Sequence, residues 1–279
     1  MIIDAHTHIF PHLVRSRREG FFDGEPDFFH IYGNPKSTMV GVGELIRAMD
    51  ENGVDISIVF GFPWRNIETA RMHNDYVLEA VARHPDRLWG LACVYPLSAG
   101  ADKELARALD AGMRGVGELA IYMERSISDL REVMGQVVEV LRQYKSPLLL
   151  HCNENVGHTY PGKADIRLKT MYQFVKHLPE TPMILAHWGG GLFFYELMKK
   201  EVQRVMRNIY YDTAASPFLY RPDVYEIAAR ICGDHKVIFG SDYPLIPPKR
   251  YFKEMEEAGL TQEQIRKVCG ENVQAIFKP

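Results

Sequence analysis

Met1-Ile2-Ile3-Asp4-Ala5-His6-Thr7-His8 opens the chain, and the way its apolar run ends in two imidazoles governs the reading of everything after it. In an extended strand alternate side chains share a face, so His6 and His8 point together with Cα atoms about 6–7 Å apart. Two imidazole nitrogens can converge from there on one metal ion, at about 2.0–2.1 Å each for zinc. A His-x-His pair alone is a weak signal. Its weight depends on whether later strands end in further ligands.

Short apolar, β-branched runs alternate with stretches of helical period along the chain. The strand-like runs are 2–8, 55–60, 87–95, 115–119, 147–151, 183–187, 209–213 and 236–242. The helical stretches are 42–52, 67–84, 101–111, 128–144, 163–177, 192–206, 223–231, 249–258 and 261–276. Gly53 and Gly112 close two of them, Pro85 stops another, Ser128 is the expected cap of a fourth, and Thr261 with Gln264 opens the last. A long irregular stretch follows the first strand.

That order predicts one α/β domain over 1–279: a (β/α)8 TIM barrel with a long loop after strand one and extra C-terminal helices. Continuous apolar runs such as Pro147-Leu148-Leu149-Leu150 suit strands buried on both faces. An open doubly wound sheet would place a glycine-rich phosphate loop after its first strand. His6-Thr7-His8 stands there instead.

The 279 residues carry a net charge of −3, so no global basic field favours nucleic acid or an anionic membrane. No apolar run is long enough to span a bilayer and no secretory leader is visible, which predicts a cytoplasmic protein acting on a small molecule. Cys93, Cys152, Cys232 and Cys269 are scattered and read as reduced thiols. Cys152, beside His151, reads as a core residue of its strand rather than a nucleophile.

In a barrel of this kind chemistry collects at the C-terminal strand ends. Read in order, those ends supply His6, His8, Glu118, His151, His187 and Asp242. Each alone has a bland explanation, as a hydrogen-bonded core residue or a turn cap. Six together at one barrel face point to a metal site. His12, His30, His73, His84, His177 and His235 read as surface or helix-end residues.

Asp4-Ala5-His6-Thr7-His8, Leu150-His151, Ala186-His187-Trp188-Gly189-Gly190-Gly191 and Gly240-Ser241-Asp242-Tyr243-Pro244 resemble the amidohydrolase superfamily. The match is best to its amidohydrolase-2 branch, which includes the aminocarboxymuconate-semialdehyde decarboxylase-like proteins. The closing segment, Gly270 to Phe277, resembles that branch as well. The resemblance implies that His6, His8, His151 and Asp242 ligate a divalent metal, and that His187 contacts the reacting group or its water. Binuclear members often carry a carboxylated lysine at the end of the fourth strand. Here Glu118 stands in its place, similar to the TatD-like nucleases, which leaves the metal count open: one tightly bound metal is the favoured reading, and a second held through Glu118 and His187 is the alternative.

Imidazole and carboxylate donors suit zinc, the expected ion, and also manganese, iron or nickel. Such an ion can lower the pKa of water from 15.7 to about 7. Asp242 is the expected proton shuttle and His187 the group that orients water or steadies an oxyanion. By period two, Asp4 shares a face with His6 and His8, as an orienting partner for an imidazole or a barrel-floor residue. From the loops, Arg65, Asn153, His158 and Tyr160 are candidate substrate-binding residues, with solvated loop positions as the alternative. The aromatic first loop suits a lid or a homodimer contact.

These readings favour a hydrolase attacking an amide, lactone or ester carbon with metal-activated water. The alternative is a nonoxidative decarboxylase of an aromatic or dienyl carboxylate using the same metal site. Two weaker readings are a TatD-like metal nuclease, suggested only by Glu118, and a barrel that has lost catalysis and serves in binding.

Overall fold

The computed structural model describes residues 1–123 and 127–277. Eight strands run in sequence order around the sheet: β1 Ile3–His8, β2 Ile56–Phe60, β3 Leu88–Ala92, β4 Gly115–Leu119, β5 Leu148–Leu150, β6 Met183–Leu185, β7 Ile209–Asp212 and β8 Val237–Ile238. Each pairs in parallel with the next. The segment after β8 returns to β1: Ala5 N–H donates to Phe239 O, Asp242 N–H to His6 O and His8 N–H to Tyr243 O, each at 2.9 Å. The result is the expected (β/α)8 barrel. No helix among the described residues is long and apolar enough to cross a membrane.

Alternation along the strands sorts the apolar residues into two layers. Ile3, Ala5, Ile56, Ile58, Leu91, Leu149, Ile184 and Ile238 form one buried cluster. Val59, Leu88, Val116, Leu148, Leu150, Leu185 and Val237 join the larger cluster that includes the helices. Both faces of the sheet are therefore buried, as a parallel barrel requires.

Two bulges break that alternation where it matters most. Asp4 pairs with Ser57 and His8 with Phe60, so β1 advances four residues while β2 advances three. Val116 pairs with Leu148 and Leu119 with Leu150, so β4 advances three residues while β5 advances two. One extra residue in each strand re-aims the side chains beyond it. The first bulge takes Asp4 off the His6/His8 face, which overturns the period-two reading of Asp4. The second needs Gly117: its φ is +137°, and a Cβ there would lie 2.4 Å from Leu149 O.

Several helices differ from the periodic reading. The first loop contains helices His12–Ser16 and Pro26–Tyr32, which bury Val14, Phe28 and Tyr32 against the core. Asp129, not Ser128, caps the helix at Leu130, by accepting from Arg131 N–H at 2.9 Å. The stretch expected from 163 becomes helical only at Leu168, and the one expected over 192–206 splits into a 3-10 turn Leu192–Leu197 and a helix Glu201–Val205. All four cysteines are buried and unpaired with one another.

His73 lies inside the helix Ile67–Arg83, almost wholly buried, rather than at a surface or helix end. Trp64 Nε1–H donates to its Nδ1 at 2.9 Å, so His73 Nε2 carries the proton and donates to Ile9 O at 2.7 Å. This neutral ring fastens the loop after β2 to the end of β1.

Candidate active site

The bulge in β1 turns both histidines to the barrel mouth beside Phe60, whose ring centre is 5.2 Å from that of His6 and 4.7 Å from that of His8. His6 is fully buried. Its Nδ1–H donates to Asp212 Oδ2 at 2.9 Å, since a carboxylate can only accept. Its other nitrogen, Nε2, is buried without a hydrogen-bond partner. It lies 3.5 Å from Glu118 Oε2 and 3.7 Å from Asp242 Oδ1. His8 Nε2 lies 3.3 Å from Asp242 Oδ1 and 3.8 Å from Glu118 Oε2.

The remaining histidines are aimed by the same logic. His151 Nε2–H donates to Gly162 O at 2.8 Å, which leaves the Nδ1 lone pair facing Glu118 Oε1 at 3.0 Å. His187 Nδ1–H donates to Ala214 O at 2.9 Å, which leaves its Nε2 lone pair 3.3 Å from His151 Nδ1 and 3.7 Å from Glu118 Oε1. Outward N–H groups on His6, His151 and His187 are spent on protein acceptors. Their lone pairs point inward, against two carboxylates.

Such an arrangement of acceptors needs protons or a cation between them. Without a cation, burial disfavours a charge on His6, but Glu118 and Asp212 outweigh burial and hold its pKa well above the ordinary value. Burial likewise opposes ionisation of Glu118, yet His6 and His151 keep it well below the usual carboxylate range. Asp242 is lowered too: its burial is outweighed by His8, His6 and His187. Burial and the neighbouring His151 push His187 down, so it stays neutral.

His6, His8 and Glu118 present ligand atoms within 4.8 Å of one another, as do His6, His187 and Asp242, and Glu118, His151 and His187. All six strand-end residues thus meet in one cage, with His151 on the side of Glu118 and His187. His187 and Asp242 hold left-handed backbone conformations, at φ 54° and 59°. Non-glycine residues in that region are strained, and such strain gathers at functional sites. The strands they were expected to end stop earlier, at Leu185 and Ile238.

The loop candidates are used differently. Asn153 is buried and braces its own loop: its amide donates to Glu154 O and Ala164 O and accepts from Ala164 N–H. Arg65 Nε–H donates to Asp27 Oδ2 at 2.9 Å, and its guanidinium lies 4.4 Å over the Tyr95 ring. Tyr160 O–H donates to Glu154 Oε2 at 3.0 Å, and exposed His158 stands 5.8 Å from the Tyr160 ring. Asp4 accepts from His6 N–H, Ser241 N–H and Ser241 Oγ–H, so it fastens the barrel seam and touches no imidazole ring. Burial, opposed by the bonds from Ser241, pushes its pKa up to about 7.

Sequence reading missed Asp212, the last residue of β7, although the strand-end criterion that found the others applies to it. It also missed the aromatic wall. Tyr122 stands 4.9 Å from the His151 ring and stacks on Phe62, which Tyr32 meets edge-on at 6.0 Å. No local pattern marks those three; they meet only through the packing of three loops.

The sequence profile of the amidohydrolase family matches residues 3–278. The chain belongs to that family. This amidohydrolase-family chain is 24% identical over 288 residues to the gamma-resorcylate decarboxylase of Polaromonas sp. strain JS666, covering 84% of this chain and 86% of that enzyme. The solved 5-carboxyvanillate decarboxylase of Sphingomonas paucimobilis is similar in fold at a TM-score of 0.76 and 18% identity, over 99% of this chain and 98% of that one. The dihydroxybenzoic acid decarboxylase of Polaromonas sp. JS666, solved with manganese and 2-nitroresorcinol, matches at 0.68 and 17%, over 99% and 96%.

These relatives overturn the expected hydrolysis of an amide, lactone or ester, because all three are decarboxylases by name. The physical reason is that the motifs specify only the ligand cage. A cage that can polarise a carbonyl can equally bind a carboxylate, and the rest of the pocket selects the reaction.

Proposed function

We propose that this chain is a metal-dependent, nonoxidative decarboxylase of an aromatic carboxylate. The observation that carries the reading is the cage itself: nitrogens of buried histidines converge on the carboxylates of Glu118 and Asp242 beside an aromatic wall. The orphaned His6 Nε2 is the clearest sign that the cage fits a cation. His6, His8, Asp242 and Glu118 Oε2 would hold it. Glu118 Oε1, His151 and His187 face a second position, which leaves room for one cation or two. The manganese of the solved relative favours manganese over the zinc expected from sequence, and the mixed imidazole and carboxylate donors of the cage suit it. When bound, the metal would anchor the acid's oxygens and stabilise their negative charge.

The chain's own residues would do the rest. Phe60, Phe62, Tyr32 and Tyr122 supply flat apolar surface for an aromatic ring. Phe60 lies against His6 and His8, and Tyr122 against His151. Asp242, anionic in the resting site, would take the proton that an incoming phenolic acid gives up. It would return that proton to the ring carbon bearing the carboxylate. The C–H bond forms, the bond from ring to carboxylate breaks, and carbon dioxide leaves with no net oxidation. His187, held neutral with its Nδ1–H on Ala214 O, would present only its Nε2 lone pair to the second position and would not compete for the proton. Tyr160, His158 and Arg65 would line the approach, whereas Asn153 would act by bracing its loop.

The test is carbon dioxide release from a panel of hydroxybenzoates by protein loaded with manganese. Release from at least one acid, abolished by a chelator and restored by the metal, supports the reading. A fully loaded enzyme that releases none, across ortho-hydroxylated and methoxylated acids, would overturn it.

A further inference from the structure

We infer that Asp212 is the positioning residue that aims both histidine halves of the cage. It rests on the cation site proposed above, and its test does not depend on which reaction that site performs. Asp212 is fully buried at the C-terminal end of β7. Its two oxygens serve different partners. Oδ2 accepts from His6 Nδ1–H at 2.9 Å, which pins the proton there and leaves Nε2 to face the cage. Oδ1 accepts from the backbone N–H of His187 at 2.8 Å and of Ala214 at 3.0 Å. Ala214 in turn offers its carbonyl oxygen to His187 Nδ1–H at 2.9 Å.

One carboxylate therefore sets the proton position of His6 directly and that of His187 through the turn it folds. It also stabilises the left-handed backbone of His187. The room for this is supplied by Gly240, where a Cβ would lie 2.7 Å from His6 Cβ and 3.5 Å from Asp212 Cβ and Cγ. An orienting carboxylate behind a ligating imidazole raises its basicity and fixes its tautomer.

Asp212→Asn discriminates this role from a merely structural one. With the amide oxygen kept on the two backbone N–H groups, the amide nitrogen must face His6 Nδ1 and donate to it. The His6 proton then moves to Nε2, the nitrogen that should bind the cation. Manganese affinity, measured by calorimetry, is expected to fall about 10–100-fold. In nitrogen-15 histidine spectra the hydrogen-bonded His6 Nδ1–H signal, assigned with His6→Gln, is expected to vanish in the variant. A structural role alone would lower the melting temperature and leave both readouts unchanged. Unchanged manganese affinity with the Nδ1–H signal retained would overturn the proposal. If the variant does not fold, the wild-type protein decides: a His6 that carries no proton on Nδ1 refutes the assignment, whether or not the chain decarboxylates anything.

Discussion

Glu118 Oε1 stands 3.0 Å from His151 Nδ1, although His151 has already given its Nε2–H to the carbonyl of Gly162. Two acceptors face each other, and only a proton or a cation can reconcile them. The other oxygen of Glu118 faces His6 and His8 at 3.5 and 3.8 Å. Glu118→Gln removes the charge and keeps the shape. Manganese affinity should fall by more than about 100-fold, beyond the loss of an orienting partner alone. Calorimetric titration checks this, and metal content in purified wild-type protein distinguishes one ion from two.

Asp242→Asn should keep much of the cation, because His6, His8 and Glu118 remain. Turnover should fall by about 10²–10⁴, the usual contribution of a positioned proton carrier. Steady-state kinetics at saturating manganese measure it. Full activity in this variant would remove Asp242 from the proton path.

The cation should also stabilise the fold, since it would bind an assembled cage that the unfolded chain lacks. At a concentration 100 times its dissociation constant the gain is about 2.7 kcal/mol. A chelator should lower the unfolding midpoint of wild-type protein and leave that of His8→Ala unchanged.

Burial, reinforced slightly by His8 and opposed by the bond to Ile9, holds the His73 pKa down at about 4, against 6.5 in the unfolded chain. The unfolded state therefore binds a proton first as pH falls. Stability from this residue is fully present above pH 6.5 and is lost as pH drops toward 4, by about 3 kcal/mol in all. Urea unfolding at pH 7 and pH 4.5 should show a smaller difference for His73→Gln than for wild type.

Lys236 and Glu196 form a buried ion pair at 2.6 Å, and Tyr211 O–H also donates to Glu196 at 2.8 Å. Glu196→Ala strands a buried ammonium and should cost about 3–5 kcal/mol in chemical denaturation. Replacing both partners, Lys236→Met with Glu196→Leu, should recover most of that loss.

Barrel order was legible because strand and helix periods follow from local burial, and each apolar run ends in turn-forming residues. The six cage residues were legible for a related reason: polar side chains directly after buried strands have one place to go. Local chemistry alone thus set the fold class, the face that carries the site and the identity of its donors. Tertiary structure decided their aim. Bulges in β1 and β4 shifted Asp4 away and Glu118 inward, and a bulge depends on pairing with a neighbouring strand, which period counting cannot see. Proton positions on His6, His151 and His187 depend on acceptors at Asp212, Gly162 and Ala214, contributed by distant segments. The aromatic wall of Tyr32, Phe62 and Tyr122 is assembled by loops after three separate strands, so its contacts are long-range and leave no mark on any single stretch of sequence.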